Sequence, residues 1–187
     1  MSRLRDRLAP PLMPAHPTQA DLGAEVYYQI CMTCHGDQGQ GLTEEFRSLL
    51  GPPDDNCWRS KCHAANHPPG GFVFPKYVPA VVGAAIPARF PTALDLYHFI
   101  KTQMPYNNPG GLQDEAYWQL TAFLVRANGD AHLPVTLNAE NAASVQLRPT
   151  TRRFSPWLIG SSVGLLLFAG IGGWLIWRRS HGHKQPV

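Results

Sequence analysis

The sequence predicts an all-α protein: a small helical domain interrupted by a long Pro- and Gly-rich loop, followed by one membrane-spanning helix. Three observations carry that expectation. Apolar residues recur at helical spacing in three segments between residues 21 and 130. Between the first and second of them, GPPDDNCWRSKCHAANHPPGGFVFPKYVPAVVG holds no helix-length run free of Pro and Gly. Residues 156–177, PWLIGSSVGLLLFAGIGGWLIW, carry no charge at all. With 187 residues, 44% of them hydrophobic and 16% charged, the chain can build one modest core but hardly two.

Residues 1–20 contain basic side chains but no apolar stretch long enough for a secretory signal, and Pro10, Pro11, Pro14 and Pro17 favour an extended polar arm. The domain then runs over residues 21–130. Asp21 is the expected cap of a first helix, in which Leu22, Val26, Tyr27 and Ile30 line one face up to Cys31 and Cys34. Thr92 opens a second helix, TALDLYHFIKTQ, with a stripe of Leu94, Tyr97, His98 and Ile100 that Pro105 brings to a stop. A third begins near Asp114, presents Tyr117, Leu120, Thr121 and Leu124 on one face, and closes at Asn128-Gly129. Residues 131–155, rich in Ala, Asn, Thr and Pro, read as a linker.

The uncharged run 156–177 rises ~33 Å as a helix, enough for a hydrocarbon core of ~30 Å. Trp157, Trp174 and Trp177 sit near its ends as interfacial anchors. Gly160 and Gly164 make a GxxxG pair, a spacing that lipid-spanning helices commonly tolerate. Arg148, Arg152 and Arg153 on one side balance Arg178, Arg179 and Lys184 on the other, so charge sets no orientation. Residues 178–187 form a tail.

A net charge of +3, with no basic stripe interleaved with aromatics, argues against nucleic acid as a partner. Neither paired carboxylates, nor a nucleophile beside a base, nor a phosphate loop stands out, so no small-molecule substrate and no enzyme activity are expected. The chemistry lies in YYQICMTCHGDQGQG. Its cysteines, with Cys57 and Cys62, could make a tetrahedral zinc site of C-x2-C and C-x4-C pairs. A thioredoxin-like pair would need a strand-to-helix context that this helical chain lacks. C-x-x-C-H points more directly to haem: Cys31 and Cys34 share one helix face for two thioethers, and His35 follows as the proximal ligand. For the opposite side of the iron, KTQMPYNNPGG offers Met104, a soft thioether that favours the ferrous state.

In this order of motifs the chain resembles the class I c-type cytochromes, across residues 21–129. The resemblance implies the class I cytochrome c fold and one covalently bound haem c, on Cys31 and Cys34, with His35 and Met104 as axial ligands of the iron. It further implies that the Pro79 carbonyl of PAVVG bonds the His35 ring, and that Gly23 and Tyr27 pack against Tyr117, Trp118 or Phe123. One departure is an insertion of roughly two dozen residues centred on NCWRSKCHAANHPPGGFVFPKY. Cys57 and Cys62 are expected to form a disulfide there, since c-type haem is attached in an oxidising compartment. The alternative is a second haem on Cys57 and Cys62 with His63 proximal and His67 or His98 distal.

The expected function is single-electron transfer between membrane redox complexes of a respiratory or photosynthetic chain, as a tethered carrier or a haem subunit. Its partners would be the donor and acceptor complexes and the membrane itself. The location would be the cell membrane, single-pass, with the haem domain on the periplasmic or extracellular side and the tail in the cytoplasm. A zinc-binding membrane adaptor, or a dihaem subunit with an assembly role, are the competing readings.

Overall fold

The computed structural model describes residues 7–50, 57–129 and 136–147. The chain divides into two units, Met1–Thr150 and Thr151–Val187. The second, with the expected span 156–177, lies outside the described residues. Among the described residues no helix is long and apolar enough to cross a membrane.

The first unit is helical and contains no named strand among its described residues. Its helices are α1 (Gln19–Val26), α2 (Met32–His35), α3 (Glu44–Leu50), α4 (Ala85–Arg89), α5 (Ala93–Gln103) and α6 (Asp114–Ala127). A wide π-helical turn, Tyr27–Cys31, joins α1 to α2 without a break.

Helix α1 starts before the expected cap. Thr18 is the N-cap: its hydroxyl accepts from the Asp21 amide at 3.3 Å, while the Asp21 carboxylate accepts from the Thr18 amide at 2.9 Å. Asp21 is therefore the reciprocal partner in a capping box, because a threonine three residues upstream takes the cap position. The same carboxylate receives Arg126 Nη1 at 2.7 Å, which ties the start of α1 to the end of α6. Hydrogen bonds from Thr18, then Arg126, hold the Asp21 pKa down at about 2. A carboxyl whose folded-state pKa lies below its unfolded value stabilises fully above ~3.9, and that stabilisation fades as pH falls toward 2. Thr18→Ala or Asp21→Asn should thus cost about 1 kcal/mol at neutral pH. Urea midpoints measured from pH 7 down to 2 should show the difference from wild type closing in acid.

Helix α1 packs chiefly against α6. Gly23 is buried at the crossing, where an added Cβ would fall 1.9 Å from the Gln119 carbonyl oxygen. One turn on, the Tyr27 and Phe123 rings meet with centroids 5.1 Å apart, so Phe123 is the aromatic partner on α6.

Helix α5 opens at Thr92 as expected, with Asp95 completing a second capping box. Its buried face is Ala93, Leu96, Tyr97 and Ile100, whereas Leu94 is half-buried and His98 exposed. The segment 136–147, expected as linker, packs onto the domain. Leu137, Ala142 and Leu147 are all buried, and the carbonyls of Val145 and Ala142 accept the Ala93 and Leu94 amides at 2.9 and 3.2 Å. Those are amides that the first turn of a helix leaves unpaired. Gln19 secures the other end, its side-chain amide exchanging two hydrogen bonds with Leu137. The N-terminal arm is also fastened: Arg7 pairs with Asp37 at 2.6 Å and with Glu45.

Helix α6 matches its expectation. Tyr117, Leu120, Thr121 and Leu124 are all buried, and Asn128 caps the end before Gly129. Helices α3 and α4, neither expected, are seven and five residues long. Helix α4 accommodates Pro87 within its first turn, where a missing amide hydrogen costs nothing. Between them, residues 57–83 form no helix.

Candidate haem-binding site

The π-helical turn and α2 deliver Cys31, Cys34 and His35 to the wall of one cavity of about 320 Å³, and Met104 and Pro79 line the same cavity. Its other walls are almost wholly apolar side chains from α5, α6 and the insertion, among them Leu96, Ile100, Leu120 and Phe74.

His35 is held by its ring. Nδ1 lies 3.0 Å from the Pro79 carbonyl oxygen, which can only accept, so Nδ1 carries the proton and Nε2 keeps its lone pair. Burial lowers the His35 pKa, against the smaller opposing effect of the Pro79 carbonyl, and so favours the neutral imidazole that a metal ligand must be. The carbonyl itself is placed by pairing between the turn after His35 and residues 78–82. Leu42 N–H donates to Val78, while Val81 and Val82 N–H both donate to Gly39. Gly41 makes this close approach possible. It has φ 83°, and a Cβ there would lie 2.5 Å from the Val78 oxygen and 2.9 Å from the Pro79 carbonyl carbon. Two polar side chains complete the proximal support. The buried Tyr27 hydroxyl donates to the Gly36 carbonyl at 2.7 Å. Asn128 accepts from Gly83 N–H at 2.8 Å and donates to the Val81 carbonyl at 3.0 Å.

Both thiols are pushed toward the protonated form by burial, Cys31 up to about 12. On the other side of the fold Met104 is the C-cap of α5, extended at φ −129° and ψ 152°, with its N–H bonded to Ile100 at 2.9 Å. Its carbonyl accepts from the Tyr117 hydroxyl at 3.0 Å.

The insertion supplies part of the wall through Phe72, Phe74 and Tyr77. Cys57 and Cys62, expected as a disulfide, are free thiols. Backbone bonds close their loop instead, from Cys62 N–H to Arg59 and from His63 N–H to Cys57, with Lys61 in a left-handed conformation at φ 64°. His63 packs against Phe72 and Phe74 at centroid distances of 4.6 and 5.4 Å, with Nδ1 3.2 Å from the Phe72 carbonyl. His67 Nδ1 lies 2.9 Å from the carbonyl of its neighbour Pro68. Among the described residues no three His, Cys, Asp or Glu side chains converge as a metal cluster. A tetrahedral zinc site built on the four thiols therefore has no counterpart here.

Tyr117 and Asn128 bond the backbone of loops around the cavity in ways that the sequence does not announce. Tyr117 reads as one more apolar position and Asn128 as a helix cap. The available signal was weak: a buried phenol or amide must find a hydrogen-bond partner somewhere.

The site suits a covalently bound porphyrin on its own chemistry. Two thiols at i, i+3, an imidazole with its outer nitrogen bonded, a thioether and apolar walls are the groups such a ligand requires. No buried side-chain nitrogen or oxygen among the described residues is left without a partner. A family model described as "Cytochrome C oxidase, cbb3-type, subunit III" matches residues 18–124. No curated protein and no solved structure gives a significant match.

Proposed function

We propose, from the premise that the chain belongs to the family of cytochrome c oxidase, cbb3-type, subunit III, that it is a membrane-anchored cytochrome carrying one haem c between redox complexes. Membership makes it a c-type cytochrome with covalently bound haem and a role in electron transfer. The observation that carries the finer reading is the convergence of Cys31, Cys34, His35 and Met104 on one apolar cavity, with the His35 ring bonded to Pro79. Haem c supplies a one-electron couple between ferrous and ferric iron. In this reading Cys31 and Cys34 hold it by thioethers, His35 and Met104 take the axial positions, and Pro79 orients the imidazole. The apolar walls exclude water and, with the Met104 thioether, favour the reduced state.

Residues 156–177 are the proposed anchor, with the haem domain on the periplasmic or extracellular side, where covalent attachment takes place. Tethering would raise the local concentration of the domain beside its membrane partners. The description of the family model favours a respiratory oxidase over a photosynthetic complex as that partner, with the chain as one of its haem subunits or a carrier bound to it.

Expression of the full chain with c-haem maturation tests this. Detergent should be needed to release the protein from membranes, its pyridine haemochrome should be of the c type, and intact mass should show one added haem. Two haem additions would assign the second to Cys57 and Cys62. A haem-free chain, or one released by a salt wash, would remove the cytochrome reading or the anchor respectively.

A further inference from the structure

We propose that Tyr117 is the positioning residue for the axial thioether: by clasping the Met104 carbonyl from α6, its phenol sets how firmly the sixth ligand stays on the iron. This rests on the reading of Met104 as that ligand.

Residues 104–112 form a strap between α5 and α6, and Met104, Pro105, Tyr106, Asn107 and Leu112 of the strap line the cavity. The strap has little core of its own, since residues 106–111 are all exposed. Two short turns stiffen it, Asn108 N–H to Pro105 at 2.9 Å and Gly111 N–H to Asn108 at 3.0 Å. Its two ends are fastened by a single group. The Tyr117 hydroxyl donates to the Met104 carbonyl at 3.0 Å and accepts from the Leu112 amide at 3.3 Å. Both hydrogen-bonding capacities of the phenol are thus spent on closing the strap.

The platform under that phenol is rigid. Tyr117 is 0% exposed. The adjacent Trp118 stacks on Tyr97 with centroids 3.6 Å apart and planes 8° from parallel. Asp114, at the start of α6, accepts from the Tyr97 hydroxyl at 2.7 Å and pairs with Lys101. The start of α6 is thereby fixed on the end of α5, one side of the strap against the other. Met104 N–H is already held by Ile100, so the Tyr117 bond immobilises the remaining polar group of the ligand's own backbone. Loss of the hydroxyl, with the ring retained, would free the carbonyl and let the thioether leave more often. Groups that orient a metal ligand are typically worth ten- to hundredfold in ligation.

Imidazole titration of the ferric full-length holoprotein reads this directly, because imidazole binds only where the thioether has left. Tyr117→Phe should bind imidazole about tenfold more tightly than wild type and weaken the sulfur-to-iron charge-transfer band, with the haemochrome unchanged. Trp118→Phe, which loosens the same helix without touching Met104, should leave the imidazole affinity near wild type. Unchanged affinity and band in Tyr117→Phe would overturn the proposal, as would an equal effect in Trp118→Phe. Met104→Ala separates the two levels. If it abolishes the band while Tyr117→Phe is silent, only the positioning role falls; if it leaves the band intact, the ligand assignment falls. Should Tyr117→Phe not accumulate as holoprotein, amide exchange in the wild type decides. Protection of the Leu112 amide at the level of the α6 core supports the clasp, and fast exchange there overturns it.

Discussion

Gly23→Ala should destabilise the domain by about 3 kcal/mol, although alanine favours an isolated helix over glycine by ~1 kcal/mol. The added methyl would lie 1.9 Å from the Gln119 carbonyl oxygen and 2.5 Å from its carbon, with the Phe123 Cβ at 2.8 Å. Two of those three atoms are backbone, and the third is the root of a side chain. None can rotate aside, so α1 and α6 would have to separate. Separation forfeits the Tyr27–Phe123 contact and the Arg126–Asp21 bond in one movement. Set against a total stability of ~5–15 kcal/mol, the loss is large. Urea denaturation should place the midpoint well below wild type at unchanged slope; an equal or higher midpoint would show that the crossing has more room than the geometry indicates.

Met104→Ala should have the largest functional effect. On the proposed reading of Met104 as an axial ligand, removing its thioether takes away the group that favours ferrous iron, so the potential should fall by tenths of a volt within the ~0.8 V that axial ligands span. The sulfur-to-iron band should vanish and exogenous ligands should bind at the opened position. A nearby histidine taking the place would also lower the potential and abolish the band, while keeping the iron six-coordinate. Only an unchanged band and potential would count against Met104 as the ligand.

What could be read from the sequence followed the length of the element that carried it. Helix α6 has fourteen residues, enough for Tyr117, Leu120, Thr121 and Leu124 to declare a face, and that face is buried. Helix α5 declared its cap at Thr92 but not its face, nor that its first-turn amides would meet carbonyls arriving from 136–147. Nothing local in Leu137, Ala142 and Leu147 foretells this, because three apolar residues five apart fit neither a helical nor a strand period. Helices α3 and α4 are too short for periodicity to register at all. In the site, Cys31, Cys34 and His35 were legible because their relationship is a helical spacing. The Pro79 position came through resemblance, being 44 residues away from His35. The Asn128 and Tyr117 clasps exist only once α6 lies against both loops, a relation that no window along the chain contains. The free thiols of Cys57 and Cys62 show the converse limit: cysteines close in sequence do not by that fact form a bond.

The π-helical turn at Tyr27–Cys31 carries one residue that the helix does not need for its phase. The Met32 N–H reaches back five residues to the Tyr27 carbonyl, so dropping one residue there would let the backbone relax to α-helix with α2 still in register with α1. One residue lost from the regular turns of α1 would instead swing Cys31, Cys34 and His35 by ~100° about the axis, away from Pro79. Length is therefore constrained on α1 more tightly than in the turn that follows it. Gln29, exposed and with its side chain on Glu25, is a residue whose deletion the helix can absorb, whereas a deletion in α1 between Gly23 and Val26 would uncouple the face that packs on α6 from the face that carries Cys31, Cys34 and His35.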